Sequence, residues 1–234
     1  KKENPDDAVS IESVINEYKN GSASITNVIT AIQAQMPFIP VDGEKIITSR
    51  EALVVTELPE SIIVIGSGAI GSEFAFLFAQ LGVKVTIVEY LPNLMPLEDE
   101  EVSKTMERAF RKMRATVYTG TTVKAARVND EGRCEVDIEG KKGAQTLEAD
   151  IVLSAVGIKS NLENMGLEEL GVEIERDKVK VDEHYKTTLD GVYAIGDISY
   201  HANNTYPYGC PQLAQVAIQQ AVTLAKNLNK GVME

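Results

Sequence analysis

The 234 residues carry 23 Lys and Arg against 35 Asp and Glu, a formal net charge of −12, and 44% of them are hydrophobic. A surface of that sign repels nucleic acid and anionic lipid, so small molecules or proteins are the partners to expect. No apolar run approaches the roughly 18 residues of a membrane span, and the opening KKENPDDAVS has no hydrophobic signal core, which makes the cytoplasm or an organelle matrix the expected compartment.

The cysteines, Cys134 and Cys210, and the histidines, His184 and His201, are each isolated in sequence. Such spacing fits neither a disulfide framework nor a metal site, so no metal is expected and structural roles are the plain reading. Residues 1–35 read as a helical segment: Ser10 to Ser13 open one apolar-periodic stretch, Gly21 interrupts, and residues 24–35 form a second. Residues 36–57 read as a connector, where Pro37 and Pro40 exclude a helix before a short strand and a helical turn.

A domain of different texture is expected over 58–190. The run 61–65 is continuously apolar and β-branched, as a strand buried on both faces must be. Residues 69–81 then predict an apolar helix stopped by Gly82, 84–88 a second strand, 98–112 a charged amphipathic helix and 116–118 a third strand. From 123 to 147 the period becomes two, in the segments 123–128, 134–138 and 145–147, separated by glycine-containing turns. That pattern predicts an antiparallel meander. Strands are expected again at 151–156 and 191–195, and a helix at 212–229, the last two forming a separate region over 191–234. The fold class is therefore α/β: a Rossmann-like parallel sheet flanked by helices, with a small antiparallel β-meander insertion.

The sequence Gly66-Ser67-Gly68-Ala69-Ile70-Gly71 is a GxGxxG that leaves a predicted strand and opens a predicted helix, and Glu89 ends the next strand. This context points to a dinucleotide site. Gly66 serves the tight turn, Gly68 the approach of a pyrophosphate to the backbone, and Gly71 the packing of helix on sheet. The helix N-terminus offers its N–H groups to the pyrophosphate. Glu89 is placed to accept the adenosine ribose hydroxyls, and the following Tyr90-Leu91-Pro92-Asn93-Leu94 contains no cation for a 2′-phosphate, so NAD is expected over NADP. The bland alternatives are a structural turn and a solvated strand-end acid.

The phrases ITSREAL, PESIIVIGSGAIGSEFA, VTIVEYLPNLMPLEDEEVSK and ADIVLSAVGIKSNLENMGLEELGVEIERDKVKVDEHYKTTLDGVYAIGDI resemble the pyridine nucleotide-disulfide oxidoreductases, most closely the dihydrolipoamide dehydrogenases among them. The resemblance implies that Glu73 lies near nicotinamide and flavin, that the Val123 backbone meets adenine, and that Gly157 passes the nicotinamide end. It also implies that Asp197 bonds a flavin ribityl chain, and that Gln212, Leu213, Ala214 and Gln215 start the helix beside the isoalloxazine. QLAQVA departs from the LAHVA usual in the dehydrogenases and looks equally like the corresponding phrase of single-subunit NADH:quinone oxidoreductases.

Further departures bear on function. The sequence has one GxGxxG where the family has two, no close cysteine pair, and no C-terminal interface region with its His-Glu pair. Lipoamide reduction needs a thiolate and its resolving partner, so it is not expected of these residues by themselves, and no residue is assigned as catalytic. The resemblance supplies only one side of an FAD pocket. Two functions stay open: the NAD(H)-binding part of a flavoprotein oxidoreductase passing hydride between NAD(H) and FAD, or a non-catalytic NAD(H)-binding module, as in a fragment without flavin. A flavin-bearing subunit or a second copy of the chain is the expected protein partner.

Overall fold

The computed structural model describes residues 31–33, 36–162, 165–207 and 209–230. By internal contacts the described residues divide into two compact units, one within Gln33–Ile158 and one that holds the described residues after Ile158. The sequence reading carries the nucleotide-binding domain on to residue 190.

Most of the expected N-terminal helical segment lies outside the described residues. Within it, Ala31–Gln33 is a strand, β1, and not helix. It pairs with β10 (Ile158–Ser160), so hydrogen bonding to a distant segment overrides the local periodicity.

The first unit is built on a parallel sheet. Its strands are β2 (Ile46–Ile47), β3 (Ser61–Ile65), β4 (Lys84–Val88), β5 (Thr116–Tyr118) and β9 (Ile151–Ser154), in the order β2-β9-β3-β4-β5. The 36–57 segment is thus more than a connector, because β2 runs parallel to β9 as an edge strand of this sheet. It leads into a short helix, α1 (Ser49–Ala52), whose Thr48 and Glu51 form a reciprocal capping box.

The alternation along β3 shows why 61–65 is apolar throughout. Ile62 and Val64 join a core with Ala75, Phe78, Val85, Ile87, Phe110 and Leu153. Ile63 and Ile65 join another with Val88, Val123, Val136, Ile138 and Val152. The first core lies under helices α2 (Ala69–Gln80) and α3 (Glu100–Lys112), which contribute Ala75, Phe78 and Phe110. The second lies under an antiparallel meander of β6 (Thr122–Val128), β7 (Cys134–Gly140) and β8 (Gly143–Ala149). One face of the sheet is therefore covered by helices and the other by the meander.

Element boundaries differ slightly from the sequence reading, for local reasons. α3 starts at Glu100 because the Asp99 carboxylate accepts the Glu101 N–H at 2.8 Å and acts as its N-cap. α2 ends at Gln80, with Leu81 its C-cap and Gly82 following at φ +86°. The meander strands run longer than predicted, since pairing extends from Thr122↔Glu139 and from Gly140↔Gly143.

The second unit holds a small sheet of β11 (Ile174–Glu175), β12 (Lys178–Lys180) and β13 (Ser199–Tyr200), with β11 antiparallel and β13 parallel to β12. Leu167, Val172 and Val179 form its core. The strand expected at 191–195 is absent. Its backbone folds back locally instead, Thr187 N–H donating to Val192 O and Ala194 N–H to Tyr185 O, with a single bridge between Lys186 and Tyr193. A 3₁₀ turn, Gly196–Ile198, and the helix α4 (Ala214–Lys230) complete the unit.

Candidate functional site

In a doubly wound sheet, ligands bind beyond the C-terminal ends of the strands where strand order reverses. Here that point lies between β3 and β9: the chain proceeds from β3 outward to β4 and β5, then crosses through the meander to β9 on the other side. The Gly66–Gly71 turn follows β3, and Ala155 to Gly157 follow β9.

The glycines have different steric situations. At Gly66, φ is +96°, and a Cβ would come within 2.4 Å of the Ala155 carbonyl oxygen. A Cβ on Gly71 would lie 2.1 Å from the Gly66 carbonyl oxygen and 3.2 Å from the Ala155 side chain. Both positions require glycine for the protein's own packing. Gly68 and Gly157 differ: a Cβ on either would meet no heavy atom within 4 Å. The backbone at Gly68 thus leaves room for an approaching group, and no heavy atom crowds the Cβ position of Gly157. Gly68 is also the N-cap of α2, where among the described residues no side chain caps the helix and no acid occupies the first turn. An anion meets only backbone N–H groups and the positive end of the helix dipole there.

Ser67 and Glu89 are both buried, at 0% and 6% exposure. Glu89 Oε2 accepts the Ser67 N–H at 2.8 Å and the Ser67 hydroxyl at 2.7 Å, while Oε1 accepts the Leu91 N–H at 2.7 Å. A carboxylate has about four acceptor sites, so these three bonds leave Oε1 with room for one further donor. The Ser67 carbonyl in turn accepts from the Ser72 hydroxyl at 3.0 Å and the Met95 N–H at 3.0 Å. This ties the loop after β4 to the turn after β3. Sequence reading singled out Ser67 only as a member of the motif. The GxGxxG pattern specifies its glycines, and nothing local in it indicates that the intervening serine bonds an acid 22 residues away.

The other expected residues of this unit are more scattered. Glu73 is exposed on α2, and Ala69 and Ile70 form the first turn of that helix. Val123 is 8% exposed and packs in the core beneath the meander, beside a register shift between Val123 and Ala125.

Asp197, Gln212, Leu213, Ala214 and Gln215 belong to the second unit. The Gln212 side-chain amide donates to the Asp197 carbonyl at 3.2 Å, which joins the 3₁₀ turn to the segment entering α4. Leu213 and Ala214 are exposed, as is Gln215. Sequence reading missed Gln220: buried to 4% exposure, its carbonyl accepts the Gly196 N–H at 2.7 Å. Gln220 stands five residues beyond Gln215, and its residue type alone does not show that it turns inward to hold a backbone N–H. Among the described residues no group of three His, Cys, Asp or Glu is arranged to hold a metal ion, and no helix is long and apolar enough to cross a membrane.

The family model described as pyridine nucleotide-disulphide oxidoreductase matches residues 11–221. The dihydrolipoyl dehydrogenase of Chlorobaculum parvum is 43% identical over 181 residues, covering 76% of this chain and 38% of that protein. Among solved structures, LpdA of Mycobacterium tuberculosis superposes with a TM-score of 0.73 at 28% identity, covering 86% of this chain and 41% of its own. An NAD-dependent persulfide reductase of A. fulgidus gives 0.73 at 27% identity, with 85% and 38% covered. The chain spans less than half the length of these relatives.

Proposed function

The chain belongs to the pyridine nucleotide-disulphide oxidoreductases, and from that membership we propose that its first unit is the NAD(H)-binding part of a flavoprotein oxidoreductase, resembling dihydrolipoyl dehydrogenase, that passes hydride between NAD(H) and FAD. The observation that carries this reading is the division of labour among the glycines: Gly66 and Gly71 are filled by the fold, and Gly68 leaves uncapped backbone N–H groups facing open space at the switch point of the sheet.

In this reading the N-terminus of α2 holds the pyrophosphate, with Ala69 and Ile70 opening the helix. Glu89 takes a ribose hydroxyl on the remaining acceptor site of Oε1. Because the same carboxylate fixes Ser67 and Leu91, it acts both as a ligand and as the clamp that shapes the turn. A 2′-phosphate brought to this carboxylate meets like charge with no cation in residues 90–94 to offset it, which favours NAD over NADP. The Gly157 backbone and the Glu73 side chain border the nicotinamide end. The cofactors supply the hydride chemistry; the chain supplies binding and orientation.

For the flavin, Asp197 and the segment Gln212 to Gln215 are the residues of this chain that would face it, held by the Gln212 bond to the 3₁₀ turn. A second flavin-bearing chain, or a second copy of this one, fits the same scheme as its protein partner. Titration of NADH and NADPH against the protein, followed by nucleotide fluorescence, tests the dinucleotide reading. NADH should bind at least about tenfold more tightly, equivalent to roughly 1.4 kcal/mol. Equal affinities, or no binding of either, would overturn it. Flavin absorbance and NADH-dependent dye reduction test the hydride step separately.

A further inference from the structure

The two histidines and two cysteines are isolated in sequence, yet the second unit brings one of each together. Cys210 Sγ lies 3.6 Å from His201 Nδ1. The Cys210 N–H donates to the His201 carbonyl at 3.0 Å, so the backbone closes the loop that holds the pair. On its other side the His201 ring rests against the buried Tyr185 ring, with centroids 4.7 Å apart. The Asn203 amide donates to the sulfur at 3.8 Å, and its own carbonyl is held by the Thr205 and Tyr206 N–H groups. Cys210 is partly exposed.

We propose that Cys210 is a reactive thiol, with His201 as its base, which undergoes exchange with small disulfides to form a mixed disulfide on this chain. The inference is independent of the dinucleotide site, since it uses none of its residues. The thiol proton passes to His201 Nδ1. The sulfur electron pair attacks one sulfur of RS–SR, the Cys210 S–S bond forms as the S–S bond of the reagent breaks, and RS⁻ leaves with the bonding pair. The imidazolium then returns its proton to RS⁻ or to solvent. The small disulfide is the oxidant, and it is reduced to one thiol as Cys210 is oxidised.

The surrounding charges support this assignment. Burial holds the His201 pKa below its ordinary value against the opposing pull of Asp182, which favours the neutral ring that a base requires. Lys178, whose pKa burial lowers, and Tyr185, whose pKa burial raises, are the titratable groups that interact with the Cys210 sulfur. Cys134 provides the contrast. It is 0% exposed, its thiol lies within bonding distance of the Lys45 and Asp150 carbonyls, and burial raises its pKa. A buried thiol of that kind is inert.

The test is reaction of the native protein with the aromatic disulfide dithiobis-nitrobenzoate. One equivalent of chromophoric thiol should be released rapidly, and a second only after unfolding in denaturant. Cys210→Ser should abolish the rapid phase and Cys134→Ser should leave it intact. His201→Phe keeps a ring against Tyr185 but has no nitrogen. It should slow the rapid phase about tenfold or more at pH 7, because the thiol then has no neighbouring base to take its proton. The difference should shrink in alkaline solution, where hydroxide takes the proton instead. His201→Gln checks the same rate without the ring. If both His201 variants, folded by circular dichroism, react as fast as the parent at pH 7, or if native Cys210 reacts no faster than the unfolded chain, the proposal is overturned.

Discussion

Glu89 accepts both the backbone N–H and the hydroxyl of Ser67 on one carboxylate oxygen, at 2.8 and 2.7 Å, in a position where both residues are buried. The acid at the end of β4 is therefore joined to the turn after β3 before any nucleotide arrives. A carboxylate clamped in this way has lost its rotational freedom, so binding does not have to order it.

Two consequences separate at this pair. Ser67→Ala removes the hydroxyl's bond to the Glu89 carboxylate and the longer one it accepts from the Met95 N–H at 3.3 Å, and should destabilise the fold by about 1.5–3 kcal/mol while leaving Oε1 untouched. Glu89→Ala leaves the buried Ser67 N–H and the Leu91 N–H without their acceptor and should lower both stability and NADH affinity. Thermal unfolding with NADH titration on both variants checks this. If Glu89→Ala left NADH affinity unchanged, the ribose contact would be wrong.

The glycines give an internal control. Gly71→Ala places a Cβ 2.1 Å from the Gly66 carbonyl oxygen, backbone that cannot turn aside, and should cost several kcal/mol in thermal or denaturant unfolding. Gly68→Ala adds a Cβ that meets no heavy atom within 4 Å and should change unfolding by no more than about 1 kcal/mol. It should instead weaken NADH binding about tenfold or more, because the side chain occupies the pyrophosphate approach. Equal effects of the two substitutions on stability would contradict the steric assignment.

Asp150 links the starts of β3 and β9 with the end of the first meander turn. It accepts from the Ser61 N–H at 2.8 Å and the Ser61 hydroxyl at 2.9 Å, and pairs with the Arg133 guanidinium. Burial opposes its ionisation, but the Ser61 bonds and Arg133 outweigh that, and the net displacement of its pKa is downward. A depressed carboxylate stabilises the fold fully above its unfolded value of about 3.9, and that contribution disappears as the pH falls through the lower folded value. Asp150→Asn should therefore reduce stability at neutral pH and converge with the parent in strong acid. Urea midpoints across that range measure it.

Gln220 holds the Gly196 N–H from α4. Gln220→Leu keeps the volume but leaves the part-buried Gly196 N–H without its acceptor, at a cost of about 1 kcal/mol. Amide exchange at Gly196 should quicken accordingly. A Gly196 amide protected equally in both proteins would show that the bond does not hold the turn carrying Asp197.

Much of the first unit was legible in the sequence. The β3–α2–β4 order follows from the apolar run 61–65, the helical period after Gly68 and Gly82, and the GxGxxG in between, all of which are local patterns. The meander was legible because its period changes to two between glycine turns. The readings that failed are those in which the same local pattern can be paired in more than one way. Ala31–Gln33 has helical periodicity but pairs with β10. Residues 191–195 are β-branched enough for a strand, yet Val192 and Ala194 bond back to Tyr185, Thr187 and Leu189, and the strand that runs parallel to β12 is the Ser199–Tyr200 dipeptide.

The sequence by itself determined the α/β class, the parallel strand bearing the glycine turn, and the presence of an acid at the end of the next strand. Steric demands on backbone and the burial of one or both strand faces are written in neighbouring residues. Tertiary structure alone decided that Glu89 closes on Ser67 and Leu91, that Gln220 holds Gly196, and that His201 meets Cys210. The Glu89–Ser67 and Gln220–Gly196 bonds join segments 22 and 24 residues apart and are set by how those segments pack, while the Leu91 bond and the His201–Cys210 pair are fixed by the path of their own loops.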